Sequence, residues 1–447
     1  MLYEYLKRRI LQNPDSVLED GPVSLSFREL ISHAEELGNR LTQPKYGILC
    51  RSELRTAIAL LACLYAGKTA VPLSWRYGEK HVQKLMDGAK LSHLLTDQGM
   101  ETVCTAIPEK EDLSDVALIM CTSGTTGAPK GAMITEENLL TNLTDIAGYF
   151  PLENKDRILI ARPLYHCAVL TGEFLISLLK GTHILFVSEG FNPLEILRLA
   201  KEKGVTALCG TPTLLYHISK MNLRSSQRLA LRVMAVSGEC MTPVAARTMR
   251  DAFPDAQIFN VYGLTEASPR VCYLPADKFD SHPLAVGVPL PSLEVRIVDQ
   301  ELQIRGKSVM KGYYDDPDAT RRVIQDGWLH TGDIAEQDAS GFLYIRCRRD
   351  NMIIRSGMNI YPQEIENALK GDDRITEAAA FGVRDDTVGQ KIHLQVVTSL
   401  TKSEVFSLCK QKLPSYQLPD SIEILQEIPR NASGKIIRGK DEHRVGL

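Results

Sequence analysis

Short β-branched runs alternate with helical patterns through the first three quarters of the chain, and this alternation constrains the fold most. The run Val116–Thr122 precedes a glycine-rich loop and a helix-like segment, and the run 184–187 (ILFV) precedes the helix-like NPLEILRLAKEKG. VTALCG and LRVMAVSG lead into two further helical patterns, the second near Pro243. Such alternation predicts layered α/β structure with mostly parallel sheets, which bind ligands beyond the carboxyl ends of their strands.

After about residue 284 the pattern changes to short strands and turns, which predict a small β-rich subdomain. A polar run at 346–351 follows, and a compact α+β pattern lies beyond it. The 447 residues are enough for two or more domains. We predict a large N-terminal domain of layered α/β subdomains plus the small β-rich subdomain over 1–349, and a small mobile α+β C-terminal domain over 350–447.

Composition excludes several classes of protein. Lys plus Arg is 52 and Asp plus Glu is 55, so the net charge of −3 argues against a polybasic nucleic-acid-binding protein and predicts no nucleic-acid partner. The longest apolar stretch, 57–67, is too short to span a membrane and predicts a buried helix. The N-terminus predicts an amphipathic helix and not a signal peptide. Ten cysteines without a CxxC pair indicate neither a disulfide framework nor a zinc site, and predict a cytoplasmic location.

The strongest local signal is the segment 122–131, TSGTTGAPKG, directly after an apolar strand. Its glycines allow backbone N–H groups to turn toward an anion, its hydroxyls add donors, and Lys130 adds a positive charge. This combination predicts a polyphosphate site, with a solvated flexible turn as the alternative. The segment is not a P-loop, because Gly131 follows Lys130 where a hydroxyl residue is required.

Three other segments can be read in two ways. In YGLTEAS an adenine could stack on Tyr262, Thr265 could bond a phosphate and Glu266 could hold Mg²⁺, but a turn with a solvated glutamate fits equally. In TGD, Asp333 could accept both hydroxyls of a ribose, or the segment could be a surface turn. In SGK, Lys435 would by itself be an exposed and inert lysine.

The order and separation of these segments resemble the acyl-adenylate-forming (AMP-binding) superfamily. This superfamily includes acyl- and aryl-CoA synthetases, peptide-synthetase adenylation domains and firefly luciferase. TSGTTGAPKG is similar to its phosphate loop, and YGLTEAS to its YGxTE motif. IRGKSVMKGYYDDPDAT resembles the segment before TGD, RRDNMIIRSGMNIYPQEIE the hinge segment, and NASGKIIR the segment of its C-terminal lysine. The resemblance runs from about residue 25 to residue 438.

The resemblance implies a two-step reaction that uses ATP and Mg²⁺. A carboxylate attacks the α-phosphorus of ATP to give an acyl-AMP, and the thiol of CoA or of a carrier-protein phosphopantetheine then displaces AMP. By this resemblance Lys435 and Thr265 act at the α-phosphate, and Glu266 is the metal ligand. The residues expected at the pyrophosphate end of ATP are Thr122, Ser123, Gly124, Thr125, Thr126, Gly127 and Lys130.

The resemblance also implies contacts to the nucleoside and a moving C-terminal domain. Tyr262 would line the adenine, and Asp333, helped by Arg348, would bind the ribose. Asp350 corresponds to the hinge about which the C-terminal domain turns between the two half-reactions. Gly357 would border the pantetheine tunnel, where a side chain could obstruct the thiol.

The segment PLYH bears on the acid. It resembles the PLFH of acyl- and aryl-CoA synthetases, in which the histidine lines or gates the acyl pocket, so His166 is expected in the catalytic centre. Peptide-synthetase adenylation domains usually carry an aspartate here. We therefore expect an aryl or short to medium acyl acid, with an amino-acid-type adenylation enzyme as the alternative and a hydrogen-bonded loop histidine as a further reading. Other pocket candidates are Cys209, Gly210, Thr211, Val236, Ser237, Gly238 and Glu239.

The thiol is expected from a separate molecule, because no carrier-protein segment follows residue 447. Arg349, Arg355 and Lys391 could bind CoA phosphates, although surface cations are usually solvated. Cys347 replaces the glycine that usually precedes the ribose-contacting arginine in the family. Two other classes stay open: a non-catalytic ATP- or AMP-binding sensor or scaffold, and a luciferase-like oxygenase.

Overall fold

The structure is a computed structural model that describes residues 2–76, 78–104, 109, 111–122, 130–187, 192–370, 372–385, 387–430 and 436–437. The chain divides into two compact units. The first comprises Met1–Met241, Ala245–Arg296 and Gln303–Thr331, and the second comprises Thr242–Val244, Ile297–Leu302 and Gly332–Leu447. The boundary expected at residue 350 falls within the second unit and stays a prediction.

Helices and strands alternate along much of the chain. The α-helices are α1 (Leu2–Ile10), α2 (Phe27–Gly38), α3 (Glu53–Tyr65), α4 (Glu79–Gly88), α5 (Glu136–Tyr149), α6 (Cys167–Val169), α7 (Ile176–Lys180), α8 (Pro193–Glu202), α9 (Pro212–Arg224), α10 (Pro243–Ala252), α11 (Pro317–Val323), α12 (Pro362–Lys370) and α13 (Lys402–Lys412). A π-helical turn, Leu170–Leu175, joins α6 to α7.

The strands are mostly short, as the sequence predicts, although three of those within the described residues have ten or eleven residues. They are β1 (Val17–Asp20), β2 (Val23–Ser26), β3 (Lys45–Leu49), β4 (Thr69–Pro72), β5 (His93–Thr96), β6 (Gly99–Thr102), β7 (Val116–Thr122), β8 (Lys130–Thr135), β9 (Arg157–Ile160), β10 (His183–Phe186), β11 (Ala207–Gly210), β12 (Val233–Val236), β13 (Gln257–Gly263), β14 (Arg270–Tyr273), β15 (Val288–Pro289), β16 (Leu293–Val298), β17 (Glu301–Gly306), β18 (Gly312–Tyr313), β19 (Ile324–Gln325), β20 (Trp328–Gln337), β21 (Leu343–Arg348), β22 (Ile353–Arg355), β23 (Met358–Ile360), β24 (Ile375–Asp385), β25 (Gly389–Thr398) and β26 (Ser421–Ile424).

Two large sheets form the framework of the first unit. Within the described residues, one has nine strands in the order β15–β14–β13–β12–β11–β9–β10–β1–β2, and the other has seven in the order β18–β8–β7–β4–β3–β5–β6. The strands β1 and β9 to β13 are parallel, and both edges of this sheet are antiparallel. A further sheet has the order β16–β17–β20–β19, with β21 paired to β20. The predicted α/β class is confirmed.

Hydrophobic patterning sets the first helices. The apolar stretch 57–67 forms most of α3, which is buried along almost its whole length, and Ser52 caps this helix by accepting the Arg55 N–H. The amphipathic helix expected at the N-terminus is α1, which packs through Leu2 and Leu6. Both predictions are confirmed. Across the described residues, no helix combines the length and the apolar character that crossing a membrane requires.

Strand β8 is an element that the sequence analysis does not identify. It follows the glycine-rich loop and pairs antiparallel with β7, so that Thr122 lies opposite Lys130. Helix α5 then begins at Glu136, after a capping box formed by Thr135 and Asn138. The loop therefore connects two neighbouring strands, and the expected helix follows only after the second of them.

The second unit contains a small sheet with two helices. The strand order is β23–β22–β25–β24, and β26 pairs parallel with β25. Side chains of α12 and α13 share one core with this sheet, as the α+β pattern of the sequence predicts. The buried members of that core include Ile353, Ile365, Leu369, Ile392, Leu394, Val396, Val405 and Leu408.

Candidate functional site

The carboxyl ends of β9, β11, β12 and β13 share one edge of the nine-stranded sheet. The chain runs from β9 to β10 on one side and then returns to β11 on the other side of β9. A reversal of this kind opens a crevice between the two neighbouring strands, here β9 and β11, and open α/β sheets bind ligands in that crevice. Residues that follow these strands are therefore candidates for a binding site.

Lys130 and Glu266 share a common neighbour, Tyr313. The segment Thr265–Ala267 forms a short 3₁₀ turn directly after β13, which contains Tyr262. The Tyr313 hydroxyl donates to Glu266 Oε1 at 2.8 Å. Lys130 Nζ lies 5.1 Å from the centre of the Tyr313 ring, within the range of a cation–π contact. The residue that ends the glycine-rich loop thus contacts the ring of a tyrosine whose hydroxyl contacts the expected magnesium ligand.

Tyr313 is a site residue that the motifs leave unassigned. It lies in β18, opposite Ala132 of β8. The next side chain, Tyr314, has different partners: its hydroxyl lies 2.5 Å from Lys45 Nζ and 3.0 Å from Glu109 Oε1. The motif KGYYDDPDAT marks both tyrosines, but only the strand pairing shows that the first of them contacts the loop residue and the glutamate.

The carboxylate of Glu266 fits a magnesium ligand by its chemistry. Mg²⁺ takes oxygen ligands, keeps several waters, and often binds through one or two carboxylates together with substrate phosphates. Glu266 follows a strand end and lies close to a residue of the glycine-rich loop, so phosphates bound there would complete such a set. Among the residues that the structure describes, no three His, Cys, Asp or Glu side chains form a complete metal-binding group.

Asp333 and Arg348 lie opposite each other on β20 and β21, in the second unit. The Asp333 side chain is only 8% exposed, and its Oδ1 lies 3.4 Å from Arg348 Nη1. Gly332 adopts a φ of +69°, and its N–H donates to Glu301 Oε1 at 2.9 Å. The structure brings the two residues together beside a glycine, and their binding of a ribose stays a prediction.

The acyl-pocket candidates of β11 and β12 are neighbours. Gly210 lies opposite Val236, and the N–H of Ser237 donates to the Gly210 carbonyl at 3.0 Å. Glu239 Oε2 accepts the hydroxyl of Thr213 at 2.6 Å. The predicted pocket residues that lie at or directly after these strand ends are Cys209, Gly210, Thr211, Val236, Ser237, Gly238 and Glu239.

His166 directly precedes α6, where the chain leaves β9. It is half-buried, and its ring centre lies 4.2 Å from that of Tyr165. Its carbonyl accepts the N–H groups of Val169 and Leu170, so the backbone of the PLYH segment continues into the helix. The catalytic role expected for the imidazole stays a prediction.

A buried ion pair near this segment has no counterpart in the sequence motifs. Arg162 Nη2 lies 2.5 Å from Glu173 Oε1, with the side chains 10% and 1% exposed. The same nitrogen donates to Ser237 Oγ at 3.3 Å. Nη1 lies 3.8 Å from the point where a side chain on Gly238 would begin. A single arginine and a single glutamate in apolar segments give no sequence signal, and only the fold shows that they meet at the ends of β9 and β12.

Glu53 connects α3 to the PLYH segment. Its carboxylate, at the start of α3, accepts the N–H of Leu164 at 3.0 Å. Burial, with a smaller contribution from Asp20, raises the pKa of Glu53 to about 7, although the Leu164 N–H and Arg76 act in the opposite direction. The charged form of this carboxylate is therefore costly in the folded protein at neutral pH.

We expect Glu53→Gln to remove a pH-dependent destabilisation. An unfolded glutamate loses its proton near pH ~4.3, so the folded state binds more protons between about pH 4 and 7, and its stability falls as the pH rises through that range. Glutamine keeps an acceptor for Leu164 and does not titrate. Relative to the wild type, the variant should gain about 2 kcal/mol on going from pH ~5 to pH ~8.

Urea unfolding at the two pH values checks this expectation. Glu195→Gln, at an exposed position in the first turn of α8, is the matched control and should show no such gain. An equal difference between Glu53→Gln and wild type at both pH values would contradict the assignment.

The remaining predicted site residues either have a defined position in the structure or lie outside the described residues. Asp350 is exposed in the 3₁₀ turn Arg349–Asn351, and Gly357 occupies the turn between β22 and β23 with a φ of +78°. The cations that could bind CoA phosphates each pair with a carboxylate: Arg349 with Glu301, Arg355 with Asp420 and Lys391 with Asp385. Cys347 is buried in β21. The loop residues Ser123, Gly124, Thr125, Thr126 and Gly127, and Lys435, lie outside the described residues.

Several characterised proteins are similar to this chain. A long-chain-fatty-acid–CoA ligase of Salmonella typhimurium is 37% identical over 356 residues, covering 74% of this chain and 62% of the ligase. A feruloyl-CoA synthase of Amycolatopsis sp. is 31% identical, covering 98% of each chain. The o-succinylbenzoate CoA synthetase of Bacillus subtilis, in complex with its acyl-adenylate intermediate, superposes with a TM-score of 0.86 at 26% identity over 97% of this chain and 96% of the synthetase. Its complex with ATP and magnesium ion gives a TM-score of 0.85 at 26% identity over 98% and 99%.

Two family models match the chain. The model of the AMP-binding enzyme matches residues 6–112 and 104–314, and the model of the AMP-binding enzyme C-terminal domain matches residues 364–435. The first match alone covers more than half of the chain. It includes the glycine-rich loop, the PLYH segment and the Tyr313–Glu266 pair described above. The chain belongs to the AMP-binding enzyme family, as its motifs predict.

Proposed function

We propose that the protein is an AMP-forming acid–thiol ligase, which activates a carboxylic acid with ATP and transfers the acyl group to the thiol of CoA. The chain spans only 62% of the length of the long-chain-fatty-acid–CoA ligases that it matches, so the proposal depends on its own site. The observation that supports it most is the contact of Lys130 with the Tyr313 ring and of Glu266 with the Tyr313 hydroxyl. This arrangement places a cation and a carboxylate together beside a glycine-rich loop.

The loop with Lys130, Tyr262 and Glu266 would each bind a different part of a nucleoside triphosphate and its magnesium ion. The glycine-rich loop with Lys130 would bind the β- and γ-phosphates, and Tyr262 would line the adenine. Magnesium, held by Glu266, would neutralise phosphate charge. The Tyr313 hydroxyl would help to orient the Glu266 carboxylate, because it donates to Oε1 and leaves Oε2 for the metal.

The remaining parts of the reaction are the binding of the ribose, the binding of the acid and the stabilisation of the displacement at the α-phosphorus. Asp333 would accept the two ribose hydroxyls, and Arg348, whose Nη1 lies 3.4 Å from its Oδ1, would assist. The acid would lie in the crevice between β9 and β11, with its carboxylate directed at the α-phosphorus. Lys435 would neutralise the charge that develops as the acid oxygen attacks and pyrophosphate leaves, which is electrostatic stabilisation and not base catalysis.

Carboxylate-dependent exchange of labelled pyrophosphate into ATP tests the adenylation step directly. We expect exchange with at least one member of a panel of benzoates, fatty acids and dicarboxylates, and formation of a thioester and AMP once CoA is added. Binding of ATP without exchange for any acid would overturn the ligase and favour a nucleotide sensor or scaffold.

The thiol acceptor can be identified in the second part of this assay, in which a thiol is added and thioester formation is measured. CoA is proposed, because the relatives named above are CoA ligases and CoA synthetases. An enzyme that forms acyl-AMP but transfers it only to a phosphopantetheinylated carrier protein would contradict this choice. Strong exchange with free amino acids would instead support the amino-acid-type alternative, against which the histidine at position 166 argues.

A further inference from the structure

A second arginine approaches the buried pair of Arg162 and Glu173. Arg270 begins β14 and is only 5% exposed. Its guanidinium lies against Gly172: a side chain there would begin 2.5 Å from Arg270 Nη2, so the space for this group exists because residue 172 is glycine. Gly172 and Glu173 both belong to the π-helical turn, a rare local structure that often occurs at functional sites.

The thiol of Cys209, near the end of β11, lies within the electrostatic influence of these groups. Burial raises the pKa of Cys209, the carboxylate of Glu173 raises it further, and Arg162 and Arg270 lower it. Three charged side chains therefore lie within electrostatic range of one residue beside the crevice between β9 and β11. Cys209 is also one of the residues that the sequence predicts to line the acyl pocket.

In the cluster formed by Arg162, Glu173 and Arg270, two positive side chains face one negative side chain. Arg162 is paired with Glu173, whereas Arg270 forms no ion pair with the residues that the structure describes. Among the described residues, the Nε atoms of both arginines and the Oε2 atom of Glu173 are buried without a hydrogen-bond partner. Glu266 is a further carboxylate nearby, since it and Arg270 both influence the thiol of Cys167, but Glu266 accepts the Tyr313 hydroxyl. An unpaired buried guanidinium is strongly unfavourable unless an anion joins it.

We propose that the acid activated by this protein carries a second carboxylate, which Arg270 binds together with the remaining donors of Arg162. The inference rests on the proposed function, because it concerns the acid of the same adenylation site. Glu173 is a positioning residue that holds Arg162, and Gly238 leaves space beside the Nη1 atom of Arg162. Guanidinium groups suit this ligand because their fixed donors match the two oxygens of a carboxylate.

Other substituents fit the cluster less well. A neutral acceptor would leave the positive charge of Arg270 uncompensated. An ammonium group would face two guanidinium groups, against one carboxylate that pairs with Arg162 through Oε1 and keeps only Oε2 without a partner. The cluster therefore favours a diacid over a fatty acid, a simple benzoate or an amino acid.

The test compares acids that share a skeleton and differ in one group. Pyrophosphate exchange is measured with adipate against hexanoate and 6-aminohexanoate, and with benzene dicarboxylates against benzoate and 4-aminobenzoate. We expect the wild type to prefer the diacid of at least one series by about 100-fold in kcat/KM, the size of effect found for buried, hydrogen-bonded charge pairs.

Variants test whether Arg270 causes the preference for the diacid. In Arg270→Met the ratio of kcat/KM for diacid and monoacid should fall to about one, and Arg270→Lys should restore part of it because it keeps the charge but not the paired donors. Arg198→Met, which removes an exposed arginine of α8, is the control and should keep the wild-type ratio. A rise in unfolding temperature on addition of ATP shows that each variant is folded.

The outcomes separate this inference from the proposed function. Exchange with no acid at all would defeat both. Exchange with monoacids as fast as with diacids, or fastest with an amine-bearing acid, would overturn the second-carboxylate proposal and leave the ligase intact. A diacid preference that survives unchanged in Arg270→Met would overturn the assignment to this cluster.

Discussion

Lys435→Ala should lower the rate of acyl-AMP formation by about 1,000-fold and leave thioester formation from supplied acyl-AMP within a few-fold of the wild type. The lysine is expected to stabilise charge in the displacement at the α-phosphorus, and attack of the thiol on the acyl carbon does not need that charge. The variant thus divides the reaction into its two halves.

The measurement uses the two half-reactions side by side. Pyrophosphate exchange reports acyl-AMP formation, and release of AMP from a chemically prepared acyl-AMP and CoA reports the second step. Lys402→Ala, at an exposed lysine that begins α13, controls for the loss of a positive charge from the same region of the sequence and should keep both activities. Equal loss of the two half-reactions in Lys435→Ala would reject the assigned role.

Glu266→Gln should reduce adenylation by about 100-fold and raise the magnesium concentration that is needed for half-maximal rate. Glutamine retains the hydrogen bond from Tyr313 and the shape of the side chain, but it lacks the negative charge that attracts a hard cation. A magnesium titration of the initial rate at saturating ATP measures the effect.

Tyr313→Phe gives a graded comparison for the same pair. Its ring preserves the contact with Lys130 and removes the hydrogen bond that orients Glu266, so the loss should be about tenfold. Glu195→Gln, which neutralises an exposed glutamate of α8, should leave the magnesium dependence unchanged. If Glu266→Gln lowers the rate at every magnesium concentration without shifting the dependence, the residue does not act through the metal.

The fold could be predicted where sequence periodicity carries the information. The apolar stretch in α3 and the amphipathic pattern of α1 specify buried and half-buried helices without reference to the rest of the chain. Strand β8 could not be separated from the glycine-rich loop that precedes it and the helix that follows it, because its pairing with β7 depends on where that loop returns the chain. Sheet order also depends on contacts between distant segments. The sequence therefore predicts a crevice at the carboxyl ends of the strands, but not that it lies between β9 and β11.

The same distinction holds for the candidate site. Motif residues such as Tyr262, Glu266 and Asp333 are recognisable because several unusual residue types occur close together in the sequence. Arg162 and Arg270 are separated by more than a hundred residues and have apolar neighbours, so no local pattern connects them. Their proximity depends on the sheet, the π-helical turn and a glycine, and each of these is visible only in three dimensions.

The π-helical turn Leu170–Leu175 also has a consequence for exchanging specificity among relatives. A turn of this type holds one residue more than an α-helical turn, and each residue advances an α-helix by about 100°. Deleting one residue between Leu170 and Glu173 would shift the helical phase of Glu173 relative to α6 and turn its side chain away from Arg162. A graft of the segment that follows PLYH must therefore preserve the helical phase as well as the residue types, since a relative with the same side chains and one residue fewer would present them to the wrong side of the helix.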